Sequence, residues 1–540
     1  MWEGNAMTRS NAGLCTLAAS LLILCTGGGA WAENGFSFLD ADKSAVNYRH
    51  ASTQAQTSCA ELRRLASVSF IVLSAEENAG SKDLPPFCRV VGMIPPEIRF
   101  EVALPLSWNR RIYMRGNGGY AGELLEAPPR VVQRDAALRY GFVAVQTNTG
   151  HDATAEPLAS FAYNNVQKEI DYAFRAVHMT VTAAKAIAGH FYDRPPAFSY
   201  WDGCSTGGRQ GLMSMQRYPG DFDGVLVGAP VLNFVDTVIW GVWNARALER
   251  NPIGLDKMPA LADAIYRKCD AKDGLADGII DDPRQCDFDP AVDLPKCTGA
   301  EGPDCFTPGQ VETLKAIYGG VVSDGKPYFP GQPLGAEKIG TPPFGTTTPE
   351  SGWAGWLLTT QGPNRQIAYG ESFLRYMAFP RDDPNYDWRT FNMEKDVGRI
   401  EAVRGMLNAT NIDLTEFKRR GGKALMYFGW ADTALNPLMG IDYYQRVTER
   451  FGAETRDFFR LFMVPGMFHC RGGVGVDRID GLTPLINWVE NGVAPERIVG
   501  SRMEGGKVVR TRPLCPYPQV AKHNGNGSID DAANFICAVP

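Results

Sequence analysis

Gly203-Cys204-Ser205-Thr206-Gly207 lies between a strand-like run, Pro196 to Asp202, and a helical pattern that opens at Gly208-Arg209-Gln210. Glycines near both ends of the serine let a strand turn directly into a helix, in a strained backbone where neighbouring side chains would clash. The helix N-terminus behind the serine favours developing negative charge. Such a unit needs a sheet to hold it, and the chain supplies one. Runs at 109–115, 141–147, 196–202, 224–228, 423–429 and 458–464 are short and rich in aliphatic, aromatic or β-branched residues, as buried strands are. Helical patterns fall between some of them, most clearly Tyr172 to Tyr192 and Gly208 to Arg217, and Leu485 to Glu490 opens another after the last. Strand and helix in alternation predict an α/β fold with a mostly parallel sheet covered on both faces.

At 540 residues the chain exceeds what one hydrophobic core usually holds, so one domain with a substantial insertion, or two domains, is expected. From 232 to 414 the pattern changes to short aromatic helices and Gly/Pro-rich loops. This stretch reads as an inserted domain, with the main domain formed by 33–231 and 415–540. Gly331 to Gly352 is dense in Gly, Pro and Thr, which predicts a long irregular excursion on the surface.

Arg9, an apolar run from Leu14 to Cys25 and the small-residue triplet Ala30-Trp31-Ala32 have the layout of a cleaved secretory signal over 1–32. No other stretch approaches the roughly 18 apolar residues of a membrane span. A secreted or periplasmic protein is expected. Twelve cysteines become ten if Cys15 and Cys25 leave with the signal, and an even number in an exported chain reads as disulfides. Ten cysteines allow about 945 pairings, so spacing does not fix the connectivity. Cys269 with Cys286, Cys297 with Cys305, Cys515 with Cys537 and then Cys59 with Cys88 are the local pairs, which leaves Cys204 and Cys470 for each other. With 54 basic and 60 acidic residues and no Lys/Arg block, a net charge of −6 offers no footprint for nucleic acid.

Ser205 is the candidate nucleophile. Where a serine sits on a turn of this kind, the acid and then the histidine follow it along the chain, so of six histidines only His469 and His523 come late enough. His523 lies in a polar, tail-like loop. His469 follows a strand, in Val464-Pro465-Gly466-Met467-Phe468-His469-Cys470, where a loop-borne base belongs. Asp432 closes an apolar strand in the position for the acid that orients the histidine, ahead of Asp442 and Asp457. Cys204 and Cys470 flank the nucleophile and base, so a bridge between them agrees with a Ser205–His469 contact. The oxyanion donors expected are the N–H of Thr206 and one from Gly116-Asn117-Gly118-Gly119-Tyr120, either Gly118 or Gly119.

A second constellation, Cys269-Asp270-Ala-Lys-Asp273-Gly-Leu275-Ala-Asp277-Gly-Ile279, spaces three carboxylates and two turn-forming glycines as a hard, oxygen-liganded Ca²⁺ would need. It has no twelfth-position glutamate, so it is not an EF-hand. The other reading of the stretch is a solvated acidic loop; an ion held here would be structural.

Taken together these residues resemble the tannase and feruloyl esterase family, which also contains a terephthalate-monoester hydrolase. The resemblance rests on Cys204-Ser205, Asp432 and His469-Cys470, extends to the aspartate loop and the spaced cysteine pairs, and covers nearly the whole mature chain. It implies an α/β-hydrolase core with a large lid inserted after the serine turn and a Cys204–Cys470 disulfide. It implies Ca²⁺ held in the lid by Asp270, Asp273, Asp277 and the carbonyls of Leu275 and Ile279. The activity implied is that of a secreted serine carboxylesterase acting on hydroxycinnamic, feruloyl-type esters, with galloyl esters or a terephthalate monoester as alternatives. A catalytically idle binding protein of the same fold is the alternative from another class. The aromatic acyl group would meet a lid wall of Trp353, Trp356, Leu357 and Phe373, whose other reading is lid core, and a terephthalate monoester would need Arg365 or Arg375 for its second carboxylate, their other reading being surface arginines.

Overall fold

The computed structural model describes residues 37–48, 52–65, 67–342 and 347–540. The expected signal segment, with Cys15 and Cys25, and also His50 lie outside the described residues.

Nine strands form the central sheet among the described residues: β1 (Ile71–Asn78), β2 (Phe87–Ile94), β3 (Ile98–Pro105), β4 (Arg111–Arg115), β5 (Val143–Thr147), β6 (Phe198–Cys204), β7 (Gly224–Gly228), β8 (Lys423–Gly429) and β9 (Phe459–Val464). Their order across the sheet is β9-β8-β7-β6-β4-β5-β3-β2-β1. All pairings from β9 to β5 are parallel, and those joining β5, β3, β2 and β1 are antiparallel. The six strands read from the sequence are the parallel ones. Strands such as β5 and β7 are buried at every position, which is why they appear as unbroken apolar runs. The antiparallel extension was not read from the sequence, and β1 shows why: it is a half-exposed edge with a mixed Ile-Val-Leu-Ser-Ala-Glu-Glu-Asn pattern.

The main helices are α1 (Pro128–Arg139), α2 (Ala176–Tyr192), α3 (Thr206–Arg217), α4 (Phe234–Arg250), α5 (Met258–Cys269), α6 (Pro308–Gly319), α7 (Arg365–Tyr376), α8 (Pro437–Phe451) and α9 (Leu482–Asn491). Side-chain alternation along the strands divides the core into two layers. Ile112, Met114, Trp201, Val225 and Met426 pack with α2, α3 and α8. Tyr113, Tyr200, Leu226 and Leu425 pack with α1 and α9 on the opposite face.

The inserted region departs from the sequence reading in two ways. Its first helix, α4, runs for 17 residues rather than as a short aromatic piece. Val235, Trp240, Phe373 and Leu407 share a core with the sheet, while residues between 247 and 358 form a third cluster that reaches Ala431, Phe468 and Val474. The stretch Gly331 to Gly352 is not wholly a surface excursion, because Gln332, Ala336, Glu337 and Ser351 are buried. Its backbone can be buried because its polar groups find partners: Gln332 N–H donates to Ile317 O, Gly352 N–H to Ala336 O and Thr341 N–H to Gly473 O.

Candidate active site

Strands β4, β6, β8 and β9 run parallel, so their C-terminal ends share one edge of the sheet. The residues leaving these ends are Gly116–Tyr120, Ser205, Asp432 and His469. Such an edge is where open α/β sheets collect their working groups.

Ser205 adopts φ 64° and ψ −122°, a conformation disfavoured for a side-chain-bearing residue. The surrounding backbone holds it there: Ser205 N–H donates to Gly228 O at 2.9 Å, and Ser205 O accepts from Arg209 N–H at 3.0 Å and Val231 N–H at 3.3 Å. Glycine is required at 203, since a Cβ there would lie 2.5 Å from the carbonyl carbon and oxygen of Gly207.

Asp432 is fully buried and His469 nearly so. Asp432 Oδ2 lies 2.8 Å from His469 Nδ1, and Oδ1 accepts the N–H groups of Ala434 and Leu435, each at 2.9 Å. With both carboxylate oxygens engaged, the carboxylate can take only the proton on Nδ1, which leaves the Nε2 lone pair available to accept one. The turns that carry acid and base are joined directly, Ala431 N–H donating to Met467 O at 3.1 Å.

A Cys204–Cys470 disulfide, with Cα atoms 6.1 Å apart, ties the residue before Ser205 to the residue after His469. Four further bridges, Cys59–Cys88, Cys269–Cys286, Cys297–Cys305 and Cys515–Cys537, follow the local pairing expected from the sequence.

In the glycine turn the two candidate oxyanion donors differ in their bonding. Gly118 N–H already donates to Glu123 Oε1 at 2.7 Å, so it is not free to meet a substrate oxygen. Gly119 has φ +52°, and its carbonyl accepts the hydroxyls of Thr206 and Tyr172, the latter at 3.1 Å. Burial opposes ionisation of Glu123, yet Arg130, at 3.1 Å, and donors from Asn117 and Gly118 hold its carboxyl below the usual range. Asn117 also donates its own N–H to Gln210 Oε1 at 3.0 Å, which locks the turn to α3.

Of the four expected wall residues, the structure brings one to the site. Trp356 stands edge-on to His469 with ring centroids 5.4 Å apart. Trp353 (0% exposed), Leu357 (2%) and Phe373 (0%) are core residues instead. Trp353 and Leu357 belong to the cluster of the inserted region, and Phe373 packs on Phe234. The wall is continued by residues not singled out from the sequence. Tyr369 lies near-parallel to Trp356 at 6.3 Å and to Tyr120 at 5.1 Å, so a row of rings runs from His469 to the glycine turn. A Cβ at Gly119 would fall 2.4 Å from the Tyr369 hydroxyl. Burial pushes that hydroxyl up to about 12, which keeps it a neutral donor. Arg365 lies over the Trp356 ring at 5.3 Å, whereas Arg375 is paired with Glu371 at 2.8 Å.

In the aspartate loop the carboxylates support the loop's own backbone. Asp270 accepts Gly278 N–H, Asp273 accepts Leu275 N–H at 2.9 Å, and Asp277 accepts Ile279 N–H at 3.2 Å and the Arg512 guanidinium. Asp281 joins them: burial, then the charge of Asp273, pushes its carboxyl up to about 8. Among the described residues no three His, Cys, Asp or Glu side chains form a group able to hold a metal by themselves. Any ion here would therefore depend on backbone carbonyls such as those of Leu275 and Ile279 for part of its coordination.

Residues 83–538 match the family model described as tannase and feruloyl esterase. The mono(2-hydroxyethyl) terephthalate hydrolase of Piscinibacter sakaiensis is 35% identical over 86% of this chain and 87% of its own. Feruloyl esterase B of Aspergillus niger is 31% identical over 81% of this chain and 83% of its own. The crystal structure of feruloyl esterase B from Aspergillus oryzae superposes with a TM-score of 0.76 at 27% identity, covering 89% of this chain and all of that one.

Proposed function

The chain belongs to the tannase and feruloyl esterase family and is a carboxylic ester hydrolase, and we propose that it cleaves esters of hydroxycinnamic acids with Ser205, His469 and Asp432 as its triad. The observation that carries this reading is the buried His469–Asp432 pair, bound through Cys204–Cys470 to the strained serine turn.

In this mechanism His469 Nε2 takes the Ser205 hydroxyl proton as Oγ attacks the ester carbonyl carbon. Asp432 keeps the imidazole oriented and stabilises the imidazolium that forms. The negative charge on the carbonyl oxygen is met by the N–H of Thr206, at the N-terminus of α3, and the N–H of Gly119, in the turn after β4. His469 then returns its proton to the leaving alcohol. Water, deprotonated by the same imidazole, attacks the acyl-enzyme and releases the aromatic acid. The rings of Trp356 and Tyr369 form the wall for the acyl group, and the Tyr369 hydroxyl offers a polar contact of the kind a substituted aromatic acid can use.

Initial hydrolysis rates on methyl ferulate, methyl gallate and mono(2-hydroxyethyl) terephthalate, beside the Ser205→Ala variant, test the assignment. The expected result is a preference for the ferulate that vanishes in the variant. A preference for the terephthalate would shift the acyl assignment to Arg365, which lies over Trp356. Turnover unchanged in Ser205→Ala would overturn the triad.

Five disulfides support export to an oxidising compartment, with processing near Glu33. A structural Ca²⁺ in the loop would be held by Asp270, Asp273, Asp277 and the carbonyls of Leu275 and Ile279. The gathering of Asp270, Asp273, Asp277 and Asp281 about one loop, with Arg512 paired to Asp277, and the all-oxygen donor set support such an ion. Elemental analysis should then find calcium, and chelation should lower the melting temperature. Absence of both effects would remove the ion from the account.

A further inference from the structure

Arg209 lies one helical turn beyond Ser205 on α3, completely buried. None of its hydrogen bonds reaches a carboxylate. One terminal nitrogen donates to Ala173 O at 3.1 Å and Leu407 O at 3.2 Å, the other donates to Tyr172 O at 3.2 Å, and Nε has no partner. The guanidinium sits 4.7 Å from the ring centre of Tyr172 and 5.7 Å from that of Phe234. An ionised group buried without a counter-ion is strongly unfavourable unless fixed dipoles replace its water.

Here the dipoles come from places where helical hydrogen bonding is interrupted. Tyr172 and Ala173 belong to the π-helical turn Asp171–Arg175, and Leu407 ends the short helix Glu401–Leu407. Both features turn carbonyls away from their usual helical partners. The chain builds a socket for a cation.

The socket leads to the proposed oxyanion site. Tyr172, whose ring lies against the guanidinium, donates its hydroxyl to Gly119 O at 3.1 Å. The Thr206 hydroxyl donates to the same carbonyl. Arg209, Tyr172, Gly119 and Thr206 are therefore linked in a chain, by one ring contact and two hydrogen bonds, that reaches the two residues whose N–H groups are assigned to the substrate oxygen.

We propose that Arg209 is a positioning residue of the oxyanion site, fixing the Tyr172 ring and through it the Gly119 turn, and adding an unneutralised positive charge behind the oxygen that becomes negative. In a site of low dielectric such a charge acts over more than one contact distance and needs no reorganisation during the reaction. The proposal rests on Ser205 being the nucleophile.

The test compares Arg209→Met, Arg209→Lys and Tyr172→Phe with the parent enzyme on methyl ferulate. Each protein is titrated to completion with an aryl phosphonate, so that kcat is expressed per labelled serine and unfolded protein drops out. The Met variant should lose about 10- to 100-fold in kcat per labelled serine with KM nearly unchanged, because a fixed charge of this kind acts on the transition state. Its phosphonate labelling rate should fall in parallel. The Lys variant should recover part of the loss, and Tyr172→Phe, which keeps the ring, should show a smaller fall in kcat. Arg209→Met retaining parent-level kcat per labelled serine, with only its labelled fraction and melting temperature reduced, would overturn the proposal and leave Arg209 a structural plug. If the Met variant yields no labelled protein, Tyr172→Phe decides: kcat at the parent level overturns the proposal and a fall supports it. A parent enzyme that does not label at all would instead strike the nucleophile assignment.

Discussion

Asp432 and Trp356 both flank His469, but they are held there by different parts of the molecule. Asp432 leaves the end of β8, its position set by a buried parallel strand and its carboxylate pinned by two backbone N–H groups. Trp356 belongs to the inserted region, in an irregular stretch where Trp353 and Leu357 turn into the core and Trp356 alone turns to the imidazole. The sheet edge holds its groups by strand register and by turns that tolerate only glycine. The inserted region holds its groups by packing. Changes at the sheet edge should therefore affect chemistry, and changes in the inserted region should affect either substrate fit or stability, separably.

The largest expected effect is at the sheet edge. Asp432→Asn keeps an oxygen for Ala434 and Leu435 but turns an amide toward His469 Nδ1, which favours the wrong tautomer; kcat should fall by about 10⁴-fold with the fold intact. A loss below tenfold, read from steady-state rates, would mean that Asp432 does not orient the base. Gly203→Ala comes next. Its methyl would meet the Gly207 carbonyl group, displacing Ser205, and a misplacement on the order of 1 Å costs about 10²-fold in rate.

The inserted region should split where the sheet edge does not. Trp356→Ala should lower kcat/KM on methyl ferulate by roughly tenfold, the weight of one aromatic contact of about 1–1.5 kcal/mol. Trp353→Ala, three residues away, should instead lose about 3–5 kcal/mol of stability while kcat/KM per folded molecule stays close to the parent value. Denaturant melts and rates on the same samples check both, and equal effects on activity would erase the distinction drawn here.

The smallest effect concerns Glu337, buried in the same region, where it accepts the Tyr318 hydroxyl and Gly335 N–H. Burial pushes its carboxyl up to about 7. Between its unfolded value near 4.3 and that point the folded state binds the extra proton, so its contribution to stability declines as pH rises through this window. Glu337→Gln should therefore raise the melting temperature at pH 8 relative to the parent and change it little at pH 4. An equal shift at both values would contradict the assignment.

The same contrast explains what could be read in advance. Continuous apolar runs such as Val143–Thr147 announce buried strands, and the turn after Cys204 announces itself through its glycines. Chain order then selects His469 and Asp432. The edge strand Ile71–Asn78 carries no such signal, and α1, which begins at Pro128-Pro129, buries only three side chains. Gly118 and Gly119 are identical in sequence terms, and their different bonding, Gly118 N–H to Glu123 and Gly119 O to Tyr172 and Thr206, comes from partners that the local sequence does not show. Trp353 and Trp356 differ in burial because the backbone between them follows no regular period. Tyr369 and Arg209 acquire their places through partners distant in the chain, Tyr120 and Leu407, which no local pattern reveals.

The account stands on Ser205 as the attacking group. Labelling the folded, calcium-supplied protein with an aryl phosphonate and mapping the modified peptide by mass spectrometry tests that most directly. One adduct per molecule, on Ser205, lost in Ser205→Ala and strongly slowed in His469→Ala, is the predicted result. No adduct, or an adduct on another residue that persists in Ser205→Ala, would contradict it.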